Sequence, residues 1–467
     1  MLFTEFRFLP FFVMVFAIHW LLRGPRLRKT WLLLASYAFY AAWDWRFLSL
    51  IWASTLVDYV AGLRIYASNG KAKVWWLRAS LFANLGLLGF FKYWGFFVDS
   101  GAEFLSWMGI DMAGSSLEVI LPVGISFFTF QTMSYSLDIY RGKLKPTRSP
   151  LDLALFVGFF PQLVAGPIVR AADFLPQLSA PRFWADVRVR SALILFTAGF
   201  IKKACISDQL SPFVDQYFAN PDLYTVGAAW LAVVGYAVQI YCDFSGYSDM
   251  AIALAALLGY RLCLNFNFPY LASDIRDFWR RWHISLSTWL RDYLYISLGG
   301  NRAGSFKTYR NLMLTMLLVG LWHGAAWTFV IWGALHGVAL SVHRLWESRR
   351  APGQEPHALM RAFSPILTFW FVCFCWVFFR AGDFETATTV LRAFVWLDAD
   401  GMQTLPMMMA WVMIGLFVAH RIAAKGAFVK RLESLPEPVF AAGLGAVFAI
   451  ALAFTSADYQ PFIYFQF

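Results

Sequence analysis

The sequence is most informative between residues 276 and 337, where it reads RDFWRRWHISLSTWLRDYLYISLGGNR (276–302), LWHGAAW (321–327) and ALHG (334–337). From Leu312 to Leu340 there is no Asp, Glu, Lys or Arg, so the strongly polar side chains in this apolar stretch are His323 and His336. An ionisable residue inside a membrane segment is costly and usually marks a functional site. The stretch therefore predicts a membrane segment that carries a functional histidine.

The composition is that of a membrane protein. Of the 467 residues, 60% are hydrophobic and 14% are charged, whereas soluble domains carry about 25% charged residues. Apolar segments of membrane-spanning length recur along the chain, and helices satisfy the backbone groups of such segments in lipid. We expect an all-α polytopic membrane protein with about 11–13 membrane helices or re-entrant elements, arranged as a single integral-membrane domain over residues 1–467.

The charged residues indicate topology and not nucleic-acid binding. Much of the net charge of +11 lies in short loops between apolar segments, and basic loops of this kind are cytoplasmic. The loops at 23–29 and 141–148 are expected to be cytoplasmic, and the loop at 99–118, which holds acidic but no basic residues, periplasmic. This pattern predicts periplasmic N- and C-termini, a lipid bilayer as the surroundings and no nucleic-acid partner. The first apolar segment lacks a positive n-region, which favours a retained helix over a signal peptide.

Two apolar segments are expected to deviate from simple spans. The first, FFPQLVAGPIV (159–169), has two prolines and a glycine, which predict a kinked or re-entrant element. The second, residues 311–346, leaves a basic loop and ends at another. This requires two passes or two half-passes, so we expect His323 near the turn or the middle of the pair.

A third segment, YCDFSGYSDM (241–250), carries two carboxylates. Asp243 and Asp249 flank Gly246, which predicts a break between spans near 226–242 and 247–260. The carboxylates could form a proton path, cap a helix start or pair with basic residues elsewhere in the bundle. A structural role is the favoured interpretation.

Residues 274–295 predict one amphipathic helix at about 100° per residue. Its apolar stripe consists of Trp279, Trp282, Leu286, Trp289 and Tyr293. Its polar face consists of Arg276, Arg280, His283, Ser287 and Arg291. A basic face beside a tryptophan face is typical of a helix in the membrane interface. It is either a headgroup anchor or the cationic lining of a cytoplasmic entrance for an anionic donor, with His283 nearest the chemistry.

The two histidines of the apolar stretch do not predict a metal site. His323 and His336 are 13 positions apart, which places them on different faces of an ideal helix. Each could simply be a buried histidine bonded to a backbone carbonyl, an interpretation that suits His336 better. The five cysteines form no CxxC pair, so neither a zinc site nor a disulfide framework is indicated, and we expect no bound metal.

Together these motifs resemble the membrane-bound O-acyltransferase family, and most of all its bacterial alginate O-acetylase branch. The similar segments are FFKYWGFF (90–97), LPVGISFFTFQTMSYSLDIYRG (121–142), FFPQLVAGPIVR (159–170), QIYCDFSGYSDMAIALAALLGY (239–260), NFNFPYLASDIRDFWRRWHISLSTWLRDYLYISLGGNR (265–302), LWHGAAWTFVIWGALHG (321–337) and PFIYFQF (461–467). Residues 345–455 are similar only in hydropathy.

The resemblance implies helices around a transmembrane tunnel in the inner membrane, with an acyl donor entering from the cytoplasm and an acceptor hydroxyl from the periplasm. The histidine of the WHG motif, here His323, is implied as the catalytic base, and His283 as a second active-site residue. An imidazole suits this role because it titrates near neutral pH. Candidates for binding the donor are Arg276, Arg280, Ser287, Asp243 and Trp322.

The expected function is O-acetylation of an exopolysaccharide, most simply alginate. Acetyl-CoA or another acyl thioester is expected as the donor substrate, with no bound cofactor, and a periplasmic SGNH-hydrolase-like acetyltransferase as the partner. Related alternatives are an acetylase subunit for cellulose or peptidoglycan and a D-alanyl export protein for teichoic acid. Alternatives of other classes are a polysaccharide transporter, which would need more intramembrane charges than this chain offers, and a scaffold in which the histidines are dispensable.

Overall fold

The computed structural model describes residues 1–111, 114, 117, 119–302, 304–350, 357–455 and 462–463. Within these residues every regular element is a helix, and the single β pairing is an isolated bridge between Tyr224 and Gln403. Helices that are long and apolar enough to cross a membrane are Pro25–Ala67, Gly70–Trp107, Val226–Leu257 and Ala358–Arg380, with the bent pair Met408–Ala423 and Ala427–Glu433 as a further candidate. The predicted all-α membrane protein is confirmed, while the number of 11–13 membrane elements remains a prediction.

The chain divides into two compact units, and the single domain predicted for residues 1–467 remains a prediction. The first unit comprises Met1–Ala192 and Ala251–Cys263. Its helices are α1 (Phe8–Leu21), α2 (Pro25–Asp44), α3 (Leu48–Ala67), α4 (Gly70–Leu88), α5 (Trp94–Trp107), α6 (Ile125–Tyr140), α7 (Pro150–Gly158), α8 (Phe160–Leu163) and α9 (Ala171–Ser179).

A buried polar network joins α3, α4 and α6 in this unit. The Asp58 carboxylate accepts hydrogen bonds from Ser80 Oγ at 2.5 Å, Ser136 Oγ at 2.6 Å and Asn84 Nδ2 at 2.7 Å. All four side chains are buried. A buried carboxylate is tolerable when donors satisfy its oxygens, so this network fixes the register of the three helices.

The proline-containing segment 159–169 is kinked, as its sequence predicts. Helix α7 ends at Gly158, the short helix α8 spans Phe160–Leu163, and the chain leaves helical form before Gly166. A Cβ at Gly166 would lie 2.5 Å from Gln162 Cα, so only glycine allows this close return of the backbone. The Gln162 side chain donates to the carbonyl of Phe156 at 2.6 Å and so satisfies a backbone group near the break.

The second unit comprises Leu193–Met250 and Leu264–Phe467. Its helices are α10 (Val189–Phe200), α11 (Asp208–Ala219), α12 (Val226–Leu257), α13 (Ile275–Arg281), α14 (Ile284–Leu290), α15 (Ser305–His323), α16 (Trp327–Ser348), α17 (Ala358–Arg380), α18 (Phe384–Val395), α19 (Met408–Ala423), α20 (Ala427–Glu433) and α21 (Glu437–Ala453). The ends of α10 and α12 extend into the first unit.

The predicted break at Gly246 is wrong, because α12 continues through it as one helix of 32 residues. Gly246 instead allows α10 to approach. A Cβ on Gly246 would lie 2.7 Å from the Gly199 carbonyl oxygen, and a Cβ on Gly199 would lie 2.6 Å from that of Gly246. The glycine therefore serves helix packing and not helix termination.

Helices α15 and α16 form a close-packed hairpin. A Cβ at Gly320 would lie 2.2 Å from the Phe329 carbonyl oxygen, and a Cβ at Gly333 would lie 2.3 Å from that of Met316. The two backbones can approach this closely only because both residues lack a side chain. The two predicted passes of residues 311–346 are thus helices in contact along glycine faces, and His323 is the last residue before their turn.

Candidate functional site

His323 ends α15, where three residues connect the hairpin helices. Its side chain is 2% exposed. The C-terminal end of a helix carries a partial negative charge that favours a cation in the last turn. His323 is thus a buried side chain in the last turn of α15, at the turn of the hairpin.

His283 lies at a break in the chain and not on a continuous helix. The predicted amphipathic helix 274–295 is wrong: α13 ends at Arg281, α14 begins at Ile284, and His283 between them has a left-handed φ of 45°. Such a φ is uncommon for a residue with a Cβ and often marks a functional position. The break directs the His283 ring inward, where it is 0% exposed.

Asn265 fixes the tautomer of His283. The Asn265 Oδ1 atom accepts a hydrogen bond from the backbone N–H of Ser285 at 3.3 Å, which identifies this atom as the amide oxygen. The same oxygen lies 3.1 Å from His283 Nδ1. Because an amide oxygen can only accept, Nδ1 carries the proton and Nε2 is the basic nitrogen of the ring.

The support of His283 continues beyond Asn265. The Asn265 Nδ2 atom donates to Ser248 Oγ on α12 at 3.0 Å, and Ser285 Oγ donates to Asn265 Oδ1 at 2.8 Å. Asn265, Ser248 and Ser285 are all buried. The His283 ring is therefore held by a hydrogen-bonded chain that runs into the long helix α12.

The two predicted site histidines lie together. Their ring centroids are 6.4 Å apart, so a small group placed between them would contact both imidazoles. Trp322 is part of the same cluster, with its ring 6.0 Å from that of His283 and 4.9 Å from that of His323.

Aromatic side chains enclose the histidine pair. Phe244 packs edge-on against His283 at 4.6 Å between centroids. Trp332 and Phe379 each lie 5.2 Å from His323. An apolar wall of this kind excludes water and strengthens electrostatic interactions inside it. The site is thus suited to a reaction in which water would be a competing nucleophile.

Burial determines the charge state of the His283 ring. His283 lies outside the helices that are long and apolar enough to cross a membrane, and its burial lowers the pKa of the imidazole to about 3. The His283 ring is consequently neutral near pH 7 and can hydrogen-bond without holding a charge.

The other residues predicted for the site lie in different surroundings. Arg276 makes a two-pronged ion pair with Glu347, at 2.8 Å and 2.6 Å, and Arg280 is exposed on α13. Ser287 donates its hydroxyl to the Trp282 carbonyl at 3.2 Å, a bond that stabilises the turn at His283. Of the predicted polar face, Arg276 is thus ion-paired, Arg280 is exposed and Ser287 has a structural hydrogen bond.

Asp243 is a member of an ion-paired cluster next to the site. Its carboxylate lies 2.5 Å from Lys203 Nζ, which also bonds Asp208 at 2.7 Å. Lys202 pairs in the same way with Asp249 at 2.5 Å. Of the roles that the sequence leaves open for Asp243 and Asp249, pairing with basic residues elsewhere in the bundle is the one observed.

Asp243 also accepts a hydrogen bond from the backbone N–H of Ile463 at 3.0 Å. Phe462 packs on Phe244, with ring centroids 5.7 Å apart. The remaining residues of the C-terminal motif 461–467 lie outside the described residues. Residue Phe462 thus packs against Phe244, which in turn contacts His283.

His336 lies apart from the pair of His283 and His323. Its Nδ1 atom accepts a hydrogen bond from Trp279 Nε1 at 3.3 Å. The Trp332 ring lies 4.7 Å from His336 and 5.2 Å from His323. This is the arrangement of a buried histidine with a packing role, as the sequence favours.

Sequence comparison is decisive for the family. The sequence profile of the membrane-bound O-acyltransferase family matches residues 38–381. This chain belongs to that family. It is therefore an O-acyltransferase of the membrane, and the matched region contains both His283 and His323.

Individual relatives are similar over most of their length. The chain is 38% identical to a probable alginate O-acetylase of Azotobacter vinelandii, with 100% of both chains covered. It is 44% identical to a probable alginate O-acetylase of Pseudomonas aeruginosa over 84% of this chain and 74% of that protein. It is 40% identical to a peptidoglycan O-acetyltransferase of Helicobacter pylori over 84% of this chain and 79% of that protein.

Proposed function

We propose that this protein moves an acetyl group from a cytoplasmic thioester donor across the inner membrane for O-acetylation of an exopolysaccharide, with alginate as the polymer. The observation that carries the proposal is the buried pair of His283 and His323, whose rings lie 6.4 Å apart. The proposed donor is acetyl-CoA, which acts as a substrate and not as a bound cofactor.

In the proposed reaction His323 acts as the general base. It accepts the proton of the acceptor hydroxyl while the hydroxyl oxygen attacks the thioester carbonyl carbon. The new C–O bond forms, the C–S bond breaks, and the proton passes from His323 to the departing thiolate. Proton transfer of this kind contributes typically about 10²–10⁴-fold to a rate, and no serine or cysteine nucleophile is required.

His283 has a different proposed role. Because Asn265 accepts a hydrogen bond from the Nδ1–H group of His283, the neutral ring offers the basic Nε2 atom to a hydrogen-bond donor on the substrate. It is proposed to orient the substrate by accepting a hydrogen bond from an N–H or O–H group other than the reacting hydroxyl, and not to take the reacting proton. The aromatic wall around both rings would protect the thioester from hydrolysis.

The donor is proposed to approach from the side of the basic loops. Arg280 is exposed and so remains a candidate for contact with an anionic donor, whereas Arg276 would first have to exchange its partner Glu347. A cytoplasmic donor and a periplasmic acceptor fit periplasmic N- and C-termini, as the charge pattern of the loops predicts.

The names of the relatives support polymer acetylation. Two of the similar relatives are described as probable alginate O-acetylases and one as a peptidoglycan O-acetyltransferase, so peptidoglycan is the second candidate acceptor. A separate periplasmic SGNH-hydrolase-like acetyltransferase is proposed to complete the modification.

Deletion of the gene in its source bacterium tests the acceptor. Exopolysaccharide and peptidoglycan are purified separately from the deletion strain, and ester-linked acetyl is measured in each by proton NMR. We expect acetyl to be lost from the exopolysaccharide and retained in peptidoglycan, and plasmid-borne wild-type protein to restore it. Loss from peptidoglycan alone would replace alginate by the second candidate, and unchanged acetyl in both polymers would contradict acetylation of either.

A further inference from the structure

The first unit contains a strongly basic pocket of about 370 Å³. It lies between the loop that joins α1 to α2 and the segment 178–183. Four of its lining residues are cationic: Arg23, Arg28, Lys29 and Arg182. It shares no residue with the histidine pair, and the proposed transfer reaction makes no use of it.

The charge of this pocket is only partly compensated. None of its described lining residues is acidic, and the nearby carboxylate of Asp152 is engaged by Lys29 at 2.5 Å. Helix α2 begins at the pocket with Pro25, and its first turn has neither an acidic residue nor a side-chain cap. The helix N-terminus therefore adds its own partial positive charge to the three arginines.

Two of the guanidinium groups are already held in place. Arg28 lies over the Trp20 ring at 5.2 Å and donates from Nη1 to the Arg182 carbonyl at 2.9 Å. Arg182 lies over the Tyr260 ring at 5.1 Å. Stacked guanidinium groups lose less conformational freedom on binding a ligand than mobile ones do. Each retains further N–H donors, since arginine has five.

We propose that this pocket binds a phosphate group carried by an anionic ligand of the cytoplasmic face. Arginine forks and a helix N-terminus are both suited to phosphate oxygens, and basic pockets among membrane helices bind lipid headgroups. The phosphate can belong to an anionic phospholipid or to a free nucleotide. Phe183 and Trp184 beside the pocket are 60% and 50% exposed, as is typical of aromatic side chains at a membrane interface, and this favours the phospholipid.

The test uses two double variants that remove the same charge. Arg23→Gln with Arg182→Gln neutralises two residues of the pocket. Arg26→Gln with Arg188→Gln is the matched control, because both arginines are exposed, lie close in sequence to the first pair and do not line the pocket. Arg28 and Lys29 are left unchanged, since Arg28 donates to the Leu22 and Arg182 carbonyls and Lys29 pairs with Asp152. Within the described residues, the side chain of Arg182 donates hydrogen bonds only to the carbonyl of the nearby Gln177.

Binding is measured on the full-length purified protein in a neutral detergent. Native mass spectrometry counts adducts of phosphatidylglycerol against phosphatidylcholine, and calorimetry measures coenzyme A binding. We expect a preference for phosphatidylglycerol that falls at least about tenfold in the pocket variant and persists in the control, because the pocket variant removes two cationic contacts with the headgroup.

Each outcome bears on the proposal. If coenzyme A, and not the lipid, shows the loss confined to the pocket variant, the phosphate site stands and its ligand is a nucleotide. If binding fell equally in the two double variants, it would depend on general surface charge and not on this pocket, and the proposal would be overturned. Absence of binding by both ligands to wild-type protein would overturn it as well. The ester acetyl content of the polymer is a separate measurement, so either proposal can fail without the other.

Discussion

At the scale of single residues, Asn265 determines which ring nitrogen of His283 carries the proton. The backbone N–H of Ser285 identifies the Asn265 oxygen, and that oxygen fixes the protonated nitrogen of His283. The left-handed backbone at His283 then determines where the ring lies. In the proposed reaction Asn265 is thus a positioning residue, which acts through the histidine that it holds.

Replacement of Asn265 tests this positioning role. Asn265→Leu should lower acetyl transfer about 10²-fold, a typical cost of a misplaced catalytic group. Asn265→Asp should restore much of the rate, because a carboxylate oxygen also accepts a hydrogen bond from the Nδ1–H group of His283. Steady-state transfer from acetyl-CoA in membranes of equal protein content measures both. If Asn265→Asp were as impaired as Asn265→Leu at equal protein abundance, the proposed role of the Asn265 oxygen in positioning His283 would be contradicted.

The sequence could identify the two histidines but not their support. His323 is conspicuous because no Asp, Glu, Lys or Arg lies within ten residues of it, and His283 because of its basic, tryptophan-rich surroundings. Asn265 lies 18 positions before His283 in NFNFPY. The sequence shows only an amide residue among aromatic residues. Its contact with His283 depends on the folded chain, so the sequence alone could not identify it.

At the scale of elements, the hairpin of α15 and α16 places His323. Gly320→Ala and Gly333→Ala should each destabilise it, because the new methyl would overlap the Phe329 or Met316 carbonyl oxygen. Overpacking of this kind costs about 1–3 kcal/mol. Gly415→Ala is the matched control, since a Cβ there meets nothing within 4 Å.

The comparison is made in detergent by thermal unfolding of the purified proteins. Apparent unfolding midpoints should fall for the two hairpin variants and remain equal or rise slightly for Gly415→Ala, because alanine is the better helix former. Unchanged midpoints in the hairpin variants would mean that the two helices do not pack as closely as described.

The ion-paired cluster on α12 allows a second test at this scale. Asp243→Asn should destabilise the protein, since breaking a buried ion pair typically costs about 3–5 kcal/mol, while the KM for the acetyl donor should not change. The exposed Asp222→Asn is the control. A raised KM at unaltered thermal stability would instead assign Asp243 to donor binding.

Element boundaries were the least predictable part of the fold. The spacing of residues 274–295 predicts a continuous helix. A hydrophobic period does not reveal a single residue with left-handed backbone, and His283 is such a residue. The glycine at 246 predicts a break, although its contact with Gly199 makes it a packing residue within an unbroken helix. In both cases tertiary contacts decided what local sequence leaves open.

At the scale of the whole molecule, the composition was sufficient to predict an all-α membrane protein, whereas the division into two compact units had no visible signal in the sequence. Orientation is a further property of the whole molecule, because the proposed vectorial transfer requires that the donor and acceptor sides differ. It follows from loop charges, which the positive-inside rule converts into sidedness.

Cysteine labelling tests that orientation. All five native cysteines are free, and Cys263 is exposed, so it is first changed to serine. Asp111→Cys should react with an impermeant maleimide added to whole cells with a permeabilised outer membrane. Lys145→Cys, at an equally exposed position, should react only after the inner membrane is opened. Labelling of both from the same side would remove the support for a cytoplasmic donor.

The central claim is that His323 takes the proton of the acceptor hydroxyl. The most direct measurement is the initial rate of acetyl transfer by His323→Gln, with His336→Gln as the control, because both histidines are buried in the same hairpin and each variant substitutes a neutral amide. We predict a rate about 10²–10⁴-fold below wild type for His323→Gln and a rate near wild type for His336→Gln, at equal protein abundance. A near-normal rate for His323→Gln would contradict the claim and favour a scaffold without catalysis.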